Sequence, residues 1–353
     1  MSTALALAAC GSSGGGSSNS SSPGGGSSTP AGGGSSSPAS SVKVGMAYDV
    51  GGRGDKSFND LAAAGLDKAK TDFGVQTKEL AATQGESEQS KESRLQLLAQ
   101  SGYNPVVAVG FAYATAVSKV VPQFPNTHFA IVDDDTNCVG SGAQPNVTCL
   151  LFTENESSFL VGVAAALATK AKNVGFIGGV NEPLIQKFQA GFQAGVHAIN
   201  KSIKIQVKYL SQPPDFSGFG DPAKGKTAAL GMYNSGADVV YHAAGGSGAG
   251  LFDAAAQVKH WAIGVDSDQY KSAPANEKQY ILTSALKGVD TAVYNFIKDD
   301  INGKFKAGDE RFSLKDNGVG YATSNPAIKQ YQPTIDSFKQ KIISGQITVP
   351  TTV

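Results

Sequence analysis

Short apolar runs alternate with stretches of helical periodicity along most of this chain, from residue 42 onward. The strand-like runs occupy 42–48, 106–109, 129–132, 174–177, 203–209, 239–241 and 261–265. Between them, apolar residues recur at helical spacing in 58–73, 93–100, 157–170, 185–200, 222–234 and 250–258. This strict alternation predicts mainly parallel sheets with helices on both faces.

These elements are too many for one compact doubly wound sheet. We therefore expect an α/β fold with two doubly wound parallel-sheet lobes joined by a hinge. The first lobe would comprise 42–153 plus a returning segment, 282–321, and the second lobe 154–281 plus 322–353. Open α/β sheets hold ligands at the carboxyl ends of their strands, so the cleft between the lobes is the expected binding site.

The first 41 residues have a different composition. Residues 1–10 end in Leu7-Ala8-Ala9-Cys10, which resembles the lipobox of a bacterial lipoprotein signal, although no Lys or Arg precedes it. A chance cysteine after alanines is the alternative. Residues 11–41 are almost wholly Gly, Ser and Pro without charge, which predicts a disordered linker spanning about 30 Å root-mean-square. We expect Cys10 to carry a lipid that tethers the chain to a membrane.

Charge and hydropathy exclude several classes of partner. The chain has 29 Lys and Arg against 29 Asp and Glu, with no basic run, which argues against a nucleic-acid partner. The longest apolar run, 159–168, is about half of the roughly 20 residues that a membrane span needs. We therefore expect the body of the chain to be held to the membrane only at its amino end. Together with the lipobox, this indicates an extracytoplasmic location. We also expect the protein to be a monomer.

Two cysteines remain in the body, Cys138 and Cys149, on either side of a loop rich in Gly, Pro and Asn. In an extracytoplasmic chain such a pair predicts a disulfide more simply than a metal site. None of the four histidines forms a ligand pair with a cysteine at zinc spacing, so we expect no metal and no cofactor. They are His128, His197, His242 and His260.

Polar and glycine residues cluster where the predicted strands end. The richest such stretch, 49–59, is a glycine-rich turn that brings an aromatic together with amide and carboxylate groups. Each cluster alone is equally well explained by the turn residues with which any strand ends. The others are Gly110, 133–135, 178–179, 245–246 and Asp266.

Several of these segments carry a resemblance that extends from residue 42 to the end. The motifs, in matching order, lie at 49–52, 55–59, 221–226, 243–248 and 264–269. They are similar to the basic membrane protein family of substrate-binding lipoproteins. The resemblance implies a type I periplasmic-binding-protein fold, capture of nucleosides, and delivery to the permease subunits of an ABC importer, without catalysis by this chain.

The resemblance also implies roles for residues that would contact the nucleobase. Phe58 and Phe219 would stack on its two faces, since every base offers a π face. Asp49, Asn59 and Asp134 would bind polar groups at its edge. The choice of Asp134 over its two aspartate neighbours depends on the pleat of the strand.

For the ribose, the resemblance implies a carboxylate and an ammonium group. Asp266 would accept hydrogen bonds from the 2′ and 3′ hydroxyls, and Lys287 would donate to a ribose oxygen. Gly245 and Gly246 would let the backbone approach the sugar closely.

Three other functions remain to be weighed. Residues 220–227 match the P-loop pattern of an NTPase, but the nearest strand ends by residue 210, and Asp221-Pro222 predicts a helix start that places Lys226 inside the helix. A sugar receptor on the same scaffold is the closer rival. A sensory role with a membrane partner other than a transporter is the third.

Overall fold

The computed structural model describes residues 41–353, so the predicted signal remnant with Cys10 and nearly all of the predicted linker lie outside the described residues. Its strands are β1 (Lys43–Tyr48), β2 (Gln76–Ala81), β3 (Val106–Ala108), β4 (Phe129–Val132), β5 (Val147–Phe152), β6 (Asn173–Val180), β7 (Lys204–Ser211), β8 (Val239–Ala243), β9 (Trp261–Asp266), β10 (Ile281–Lys287), β11 (Gly308–Phe312) and β12 (Val319–Tyr321).

The helices are α1 (Phe58–Phe73), α2 (Glu88–Gln100), α3 (Ala114–Val120), α4 (Glu154–Ala168), α5 (Pro183–Ile199), α6 (Pro222–Asn234), α7 (Gly248–Val258), α8 (Gln269–Ser272), α9 (Val289–Ile301) and α10 (Gln332–Ile343). Sequence patterns predicted six of them, and both α1 and α6 begin and end at the predicted residues.

Two six-stranded sheets form the centres of two lobes. The first has the order β11-β5-β4-β3-β1-β2, and all its strands are parallel. The second has the order β12-β10-β9-β8-β6-β7, and only the short edge strand β12 is antiparallel. The predicted α/β fold with two parallel-sheet lobes is confirmed.

The chain crosses between the lobes three times: from β5 to α4, from β10 to α9, and from β11 to β12. The returning segment predicted at 282–321 therefore needs a correction. Because β10 pairs with β9, and β12 pairs with β10, both strands belong to the second lobe. Only α9 and β11 return to the first lobe; α9 packs so closely on α1 that a Cβ on Gly65 would lie 2.5 Å from the Asp290 carbonyl oxygen.

A disulfide closes the loop beyond β4. It joins Cys138 to Cys149 in β5, with their Cα atoms 6.1 Å apart. Across residues 41–353, the helices are all too short or too polar to cross a bilayer.

Candidate ligand-binding site

A cavity lies between the lobes, at the carboxyl ends of their central strands. Its volume, counted as the space that the centre of a water molecule can occupy, is about 60 Å³. The polar lining residues are Asp49, Asp55, Asn59, Asp133, Asp266 and Lys287, and the aromatic ones are Phe58, Phe111, Phe188 and Phe219. Both lobes supply residues of each kind, so the cavity is complete only when the lobes are together.

The turn after β1 forms one wall, and Asp55 organises it. The Asp55 carboxylate accepts the backbone N–H groups of Ser57, Asn59 and Asp60 at 2.9, 2.9 and 3.1 Å, and so caps the start of α1. It also accepts from the Asn59 side-chain nitrogen at 3.2 Å. The buried Asn59 Oδ1 atom has no hydrogen-bond partner within residues 41–353, which leaves an acceptor at the cavity wall.

Asp49, at the end of β1, is buried beside this turn. Its Oδ1 accepts from the Val50 N–H at 2.7 Å, and a Cβ on Gly110 would lie 2.7 Å from its Oδ2. Burial raises the pKa of Asp49 from its ordinary 3.8 to about 6, against the opposing effect of the Val50 hydrogen bond.

Phenylalanines approach from both lobes. Phe58 begins α1 in the first lobe, and Phe219 lies in a short 3-10 turn of the second lobe. Phe111 of the first lobe meets Phe219 edge-to-face with ring centroids 6.3 Å apart. A Cβ on Gly179 would come within 2.4 Å of the Phe219 ring, so a glycine is required there to seat it.

Lys287, at the end of β10, holds the opposite wall together. Its ammonium lies 2.5 Å from Asp133 of the first lobe and 3.3 Å from Glu154 at the start of α4. The same nitrogen lies 5.2 Å from the Phe58 ring centroid and 5.5 Å from that of Phe188. One ammonium therefore joins an ion pair between the lobes to the aromatic lining.

The carboxylates around Lys287 determine its charge state. Burial by itself lowers the pKa of Lys287, but Asp133, Glu154 and Asp266 outweigh it, and the pKa stands above its ordinary value. Lys287 therefore stays an ammonium group. Burial raises the pKa of Asp266, with Lys287 opposing the rise. In the described part of the chain, the buried Asp133 Oδ1 and Glu154 Oε2 atoms have no hydrogen-bond partner.

Seven of the nine predicted ligand contacts line this cavity: Asp49, Phe58, Asn59, Phe219, Gly245, Asp266 and Lys287. Asp134 does not. Asp133 takes its place, with a left-handed φ of 71° that sequence cannot reveal, while Asp134 Oδ1 accepts from the Thr136 N–H at 3.0 Å in a local turn. Gly246 is not among the lining residues either, although a Cβ added there would lie 3.4 Å from the Phe219 carbonyl oxygen and 3.8 Å from the Asp55 Cβ.

Sequence reasoning missed several residues of the site. Phe111 and Phe188 line the cavity, Asp55 caps α1, and Glu154 supports Lys287. Phe111 directly follows Gly110, just beyond the end of β3. It could therefore have been found by the rule that selected the other clusters, namely that ligands bind where the strands of an open α/β sheet end. Phe188 looked like any apolar residue of an amphipathic helix, and no signal distinguished it.

The P-loop pattern at 220–227 does not form a phosphate loop. Asp221 caps α6 by accepting the Lys224 N–H at 2.9 Å, and Lys226 lies within α6, ion-paired with Asp253 at 2.7 Å. A possible metal-binding group in the described part of the chain combines Asp309 with Cys138 and Cys149, whose sulfurs are already bonded to each other.

Comparison with known proteins assigns the chain to a protein family. The model described as ABC transporter substrate-binding protein PnrA-like matches residues 42–352. The chain belongs to this family. Its members are receptors rather than enzymes, so the chain is an extracytoplasmic substrate-binding protein that passes a small molecule to the permease of an ABC transporter. The resemblance seen in the sequence motifs is confirmed.

Individual relatives span most of the chain. The ABC transporter nucleoside-binding protein BmpA of Lactococcus lactis is 34% identical over 330 residues, covering 88% of this chain and 90% of that protein. A lipoprotein of Pyrococcus horikoshii is 36% identical, covering 80% and 69%. A solved ABC transporter solute-binding protein of Aeropyrum pernix matches with a TM-score of 0.76 and 30% identity, covering 88% of this chain and 94% of that one.

Proposed function

We propose that this protein captures nucleosides, with purine nucleosides as the expected class, in the cavity between its lobes. The observation that carries the proposal is the pairing of aromatic rings from both lobes with a carboxylate and ammonium cluster in one small cavity. A nucleoside has the same two parts, a flat base and a hydroxyl-bearing ring. The nucleoside-binding name of the Lactococcus relative supports the same ligand class.

The base would lie between Phe58 and Phe219. Stacking on an aromatic side chain is worth about 1 to 3 kcal/mol per base and is insensitive to base identity. Selectivity then belongs to Asn59, whose free Oδ1 accepts from an N–H group, and to Asp49, which accepts when ionised and donates when protonated.

The ribose would lie against the cluster around Lys287. The Asp266 carboxylate and the unpartnered Oδ1 of Asp133 are acceptors for vicinal hydroxyl groups, and Lys287 is a donor to an oxygen of the sugar. Hydrogen bonds to charged groups in a buried site are stronger than those between neutral groups. A free base or a free pentose would meet only half of these contacts.

Binding would close the lobes, because a ligand that contacts both lobes favours the closed state by its differential affinity. The permease would recognise the closed form. We further propose that a lipid on Cys10 and the linker 11–41 hold a monomeric receptor near the membrane, a role supported by the lipoprotein name of the Pyrococcus relative.

A thermal-shift panel tests the ligand class. A ligand that binds only the folded state raises the melting temperature. We expect stabilisation by adenosine, guanosine or inosine, and none by ribose, free bases or ATP with Mg²⁺. Stabilisation by pentoses alone would instead identify a sugar receptor on this scaffold.

A further inference from the structure

A second set of contacts crosses the cleft beside the cavity. The second-lobe turn 265–269 contacts the backbone carbonyl of Lys56 and the hydroxyl of Ser57 in the first lobe. Ser267 Oγ donates to the Lys56 carbonyl oxygen at 2.8 Å, and Gln269 Nε2 donates to the same oxygen at 3.2 Å. The next residue of the first lobe, Ser57, donates to Asp266 Oδ2 at 2.6 Å. We call Lys56, Ser267 and Gln269 the clasp.

The Gln269 amide is held rigidly by its own lobe. The residue is 2% exposed, and its Oε1 accepts from the Val265 N–H at 2.9 Å. A backbone N–H only donates and a backbone carbonyl only accepts, so the amide has one orientation that satisfies both Val265 and Lys56. The second lobe therefore holds Nε2 in the orientation that the Lys56 carbonyl requires before the lobes close.

His242 supplies a third fixed contact to this amide. Its Nε2 lies 3.1 Å from Gln269 Oε1, and its Nδ1 has no hydrogen-bond partner among the residues that the structure describes. Burial lowers the pKa of His242 to about 4, against the opposing effect of the Gln269 hydrogen bond, so the ring is neutral at physiological pH. Since Gln269 Oε1 is an acceptor, the proton of the ring resides on Nε2 and is donated to it. The uncharged ring of Phe252 packs edge-on against His242, with ring centroids 5.4 Å apart.

Two glycines leave room for this arrangement. A Cβ on Gly264 would lie 2.5 Å from Gln269 Oε1, and a Cβ on Gly248 would lie 2.0 Å from the His242 ring. Any larger residue at either position would displace the amide or the ring. Gly264 and Gly248 are therefore required for the observed positions of the Gln269 amide and the His242 ring.

The clasp does not touch the ligand cavity. Ser267, Gln269 and His242 are not among the lining residues, whereas Phe58, two positions after Lys56, is. Lys56 itself has a left-handed φ of 53°, a conformation that residues other than glycine adopt rarely. The clasp therefore acts on the backbone that carries a lining residue.

We propose that Gln269 is a positioning residue for lobe closure. Together with Ser267 it holds the Lys56 carbonyl in the closed state, and His242 fixes its amide. These residues would set the balance between open and closed forms and the rate of ligand release, whatever the ligand is.

Distance measurements between spin labels test this on the ligand-free, full-length chain. Labels at Gln84→Cys and Gln212→Cys, in a Cys10→Ser background, sit at exposed sites after β2 and β7, one in each lobe. We expect Gln269→Met and Ser267→Ala to shift the distribution towards longer distances. The matched control is Gln206→Met, whose amide nitrogen donates to Asn173, Met232 and Ser235 of its own lobe.

Unchanged distances in both clasp variants would overturn the proposal. Ser267→Ala removes one hydroxyl at a partly exposed site, so it decides the matter even if Gln269→Met fails to fold. A purely structural Gln269 would lower the free energy of unfolding without lengthening the distances.

Release kinetics give a second readout. With inosine as the probe, we expect stopped-flow dissociation to become about tenfold faster in Gln269→Met, with the association rate nearly unchanged, because one well-aligned hydrogen bond is lost from the closed state only. His242→Phe should change release in the same direction. Equal release rates in all variants would contradict the proposal. If inosine does not bind at all, the proposed ligand fails while the label distances still decide the clasp.

Discussion

Asp266 has two contacts that compete for its carboxylate. It lines the ligand cavity and also accepts from Ser57 across the cleft at 2.6 Å, in a backbone with a left-handed φ of 62°. Burial raises its pKa, while Lys287 keeps the ionised form accessible. A carboxylate so placed joins ligand recognition to contact between the lobes.

The first prediction concerns this carboxylate. Asp266→Asn should weaken nucleoside binding by about 30-fold, because a neutral amide cannot replace two charge-assisted hydrogen bonds from hydroxyl groups. Calorimetric titration measures the loss, and circular dichroism checks that the fold is kept. Ser57→Ala serves as the control, since it removes the interlobe bond but leaves the carboxylate. Full affinity in Asp266→Asn would exclude a ribose role.

Phe219 gives the second prediction. Phe219→Ala should weaken binding of every nucleoside by a similar factor, about 10- to 100-fold, since stacking is insensitive to base identity. Phe216→Ala is the matched control: Phe216 packs edge-to-face on Phe111 but is not among the cavity-lining residues, so its loss should have little effect. Selective loss of one base in Phe219→Ala would count against simple stacking.

Asp49 gives a prediction about pH. Its folded-state pKa of about 6 exceeds the ordinary 3.8, so the folded state binds this proton more tightly than the unfolded chain does. The contribution of Asp49 to the free energy of unfolding is therefore greatest below pH 4 and is lost as the pH rises through 6. Asp49→Asn keeps an acceptor for the Val50 N–H and removes this titration.

At pH 7 we expect Asp49→Asn to raise the free energy of unfolding by about 2 to 3 kcal/mol, because the variant no longer holds an ionised carboxylate in a buried position. Urea unfolding of both proteins between pH 4 and 7.5 measures the difference. A difference that stays constant over this range would show that Asp49 does not titrate as described.

For individual residues, searching the ends of the predicted strands found most of the site. The search failed where the backbone conformation determines which of two neighbouring residues faces the cavity. Asp49 and Asp266 directly follow or end apolar strands, which a sequence pattern can detect. Asp133 and Asp134 are chemically identical, and the left-handed conformation of Asp133 selects it for the cavity. A conformation of that kind depends on the folded chain around it.

Among the elements, α4 and α5 approach each other through glycines. A Cβ on Gly162 would lie 2.3 Å from the Phe192 carbonyl oxygen, and one on Gly195 would lie 2.0 Å from the Phe159 carbonyl oxygen. Helix α4 also supplies Glu154 to Lys287, and α5 supplies Phe188 to the cavity. The spacing of this pair therefore positions part of the site.

Gly195→Ala should lower the free energy of unfolding by about 1 to 3 kcal/mol, because the helices must separate to admit the methyl group. Gly231→Ala, on the exposed face of α6 with no atom within 4 Å of the added Cβ, should instead stabilise the protein by about 0.5 to 1 kcal/mol through helix propensity. Denaturant unfolding separates the two. Equal effects at both sites would refute the close-approach argument.

The sequence patterns missed five strands. They are the buried strands β5 and β10, the short edge strand β12, and the two edge strands of the first sheet. β2, Gln76–Ala81, and β11, Gly308–Phe312, carry polar and charged residues because each is exposed at an edge of the first sheet. Their pairing comes from the neighbouring strand rather than from their own apolar pattern. The central strands β1, β4 and β9 were predicted to within a residue, since burial on both faces makes them continuously apolar.

At the scale of the whole molecule, two lobes share one cavity, and its charge is unbalanced. Its lining includes three buried aspartates, Asp49, Asp133 and Asp266. The ammonium group that faces them in the lining is that of Lys287. A phosphate group would add negative charge to this site at short range in a medium of low polarity. We therefore expect adenosine monophosphate to bind at least about 100-fold more weakly than adenosine, as measured by competition.

In the proposed complex, a whole nucleoside fills the cavity, with its base between Phe58 and Phe219 and its ribose against Asp266. Calorimetric titration of the purified protein with a purine nucleoside, its free base and ribose tests this most directly. We expect a dissociation constant of about 1 µM or tighter for the nucleoside, with the base and the ribose each binding far more weakly. Binding of ribose as tight as that of the nucleoside, or no binding of any nucleoside, would contradict it.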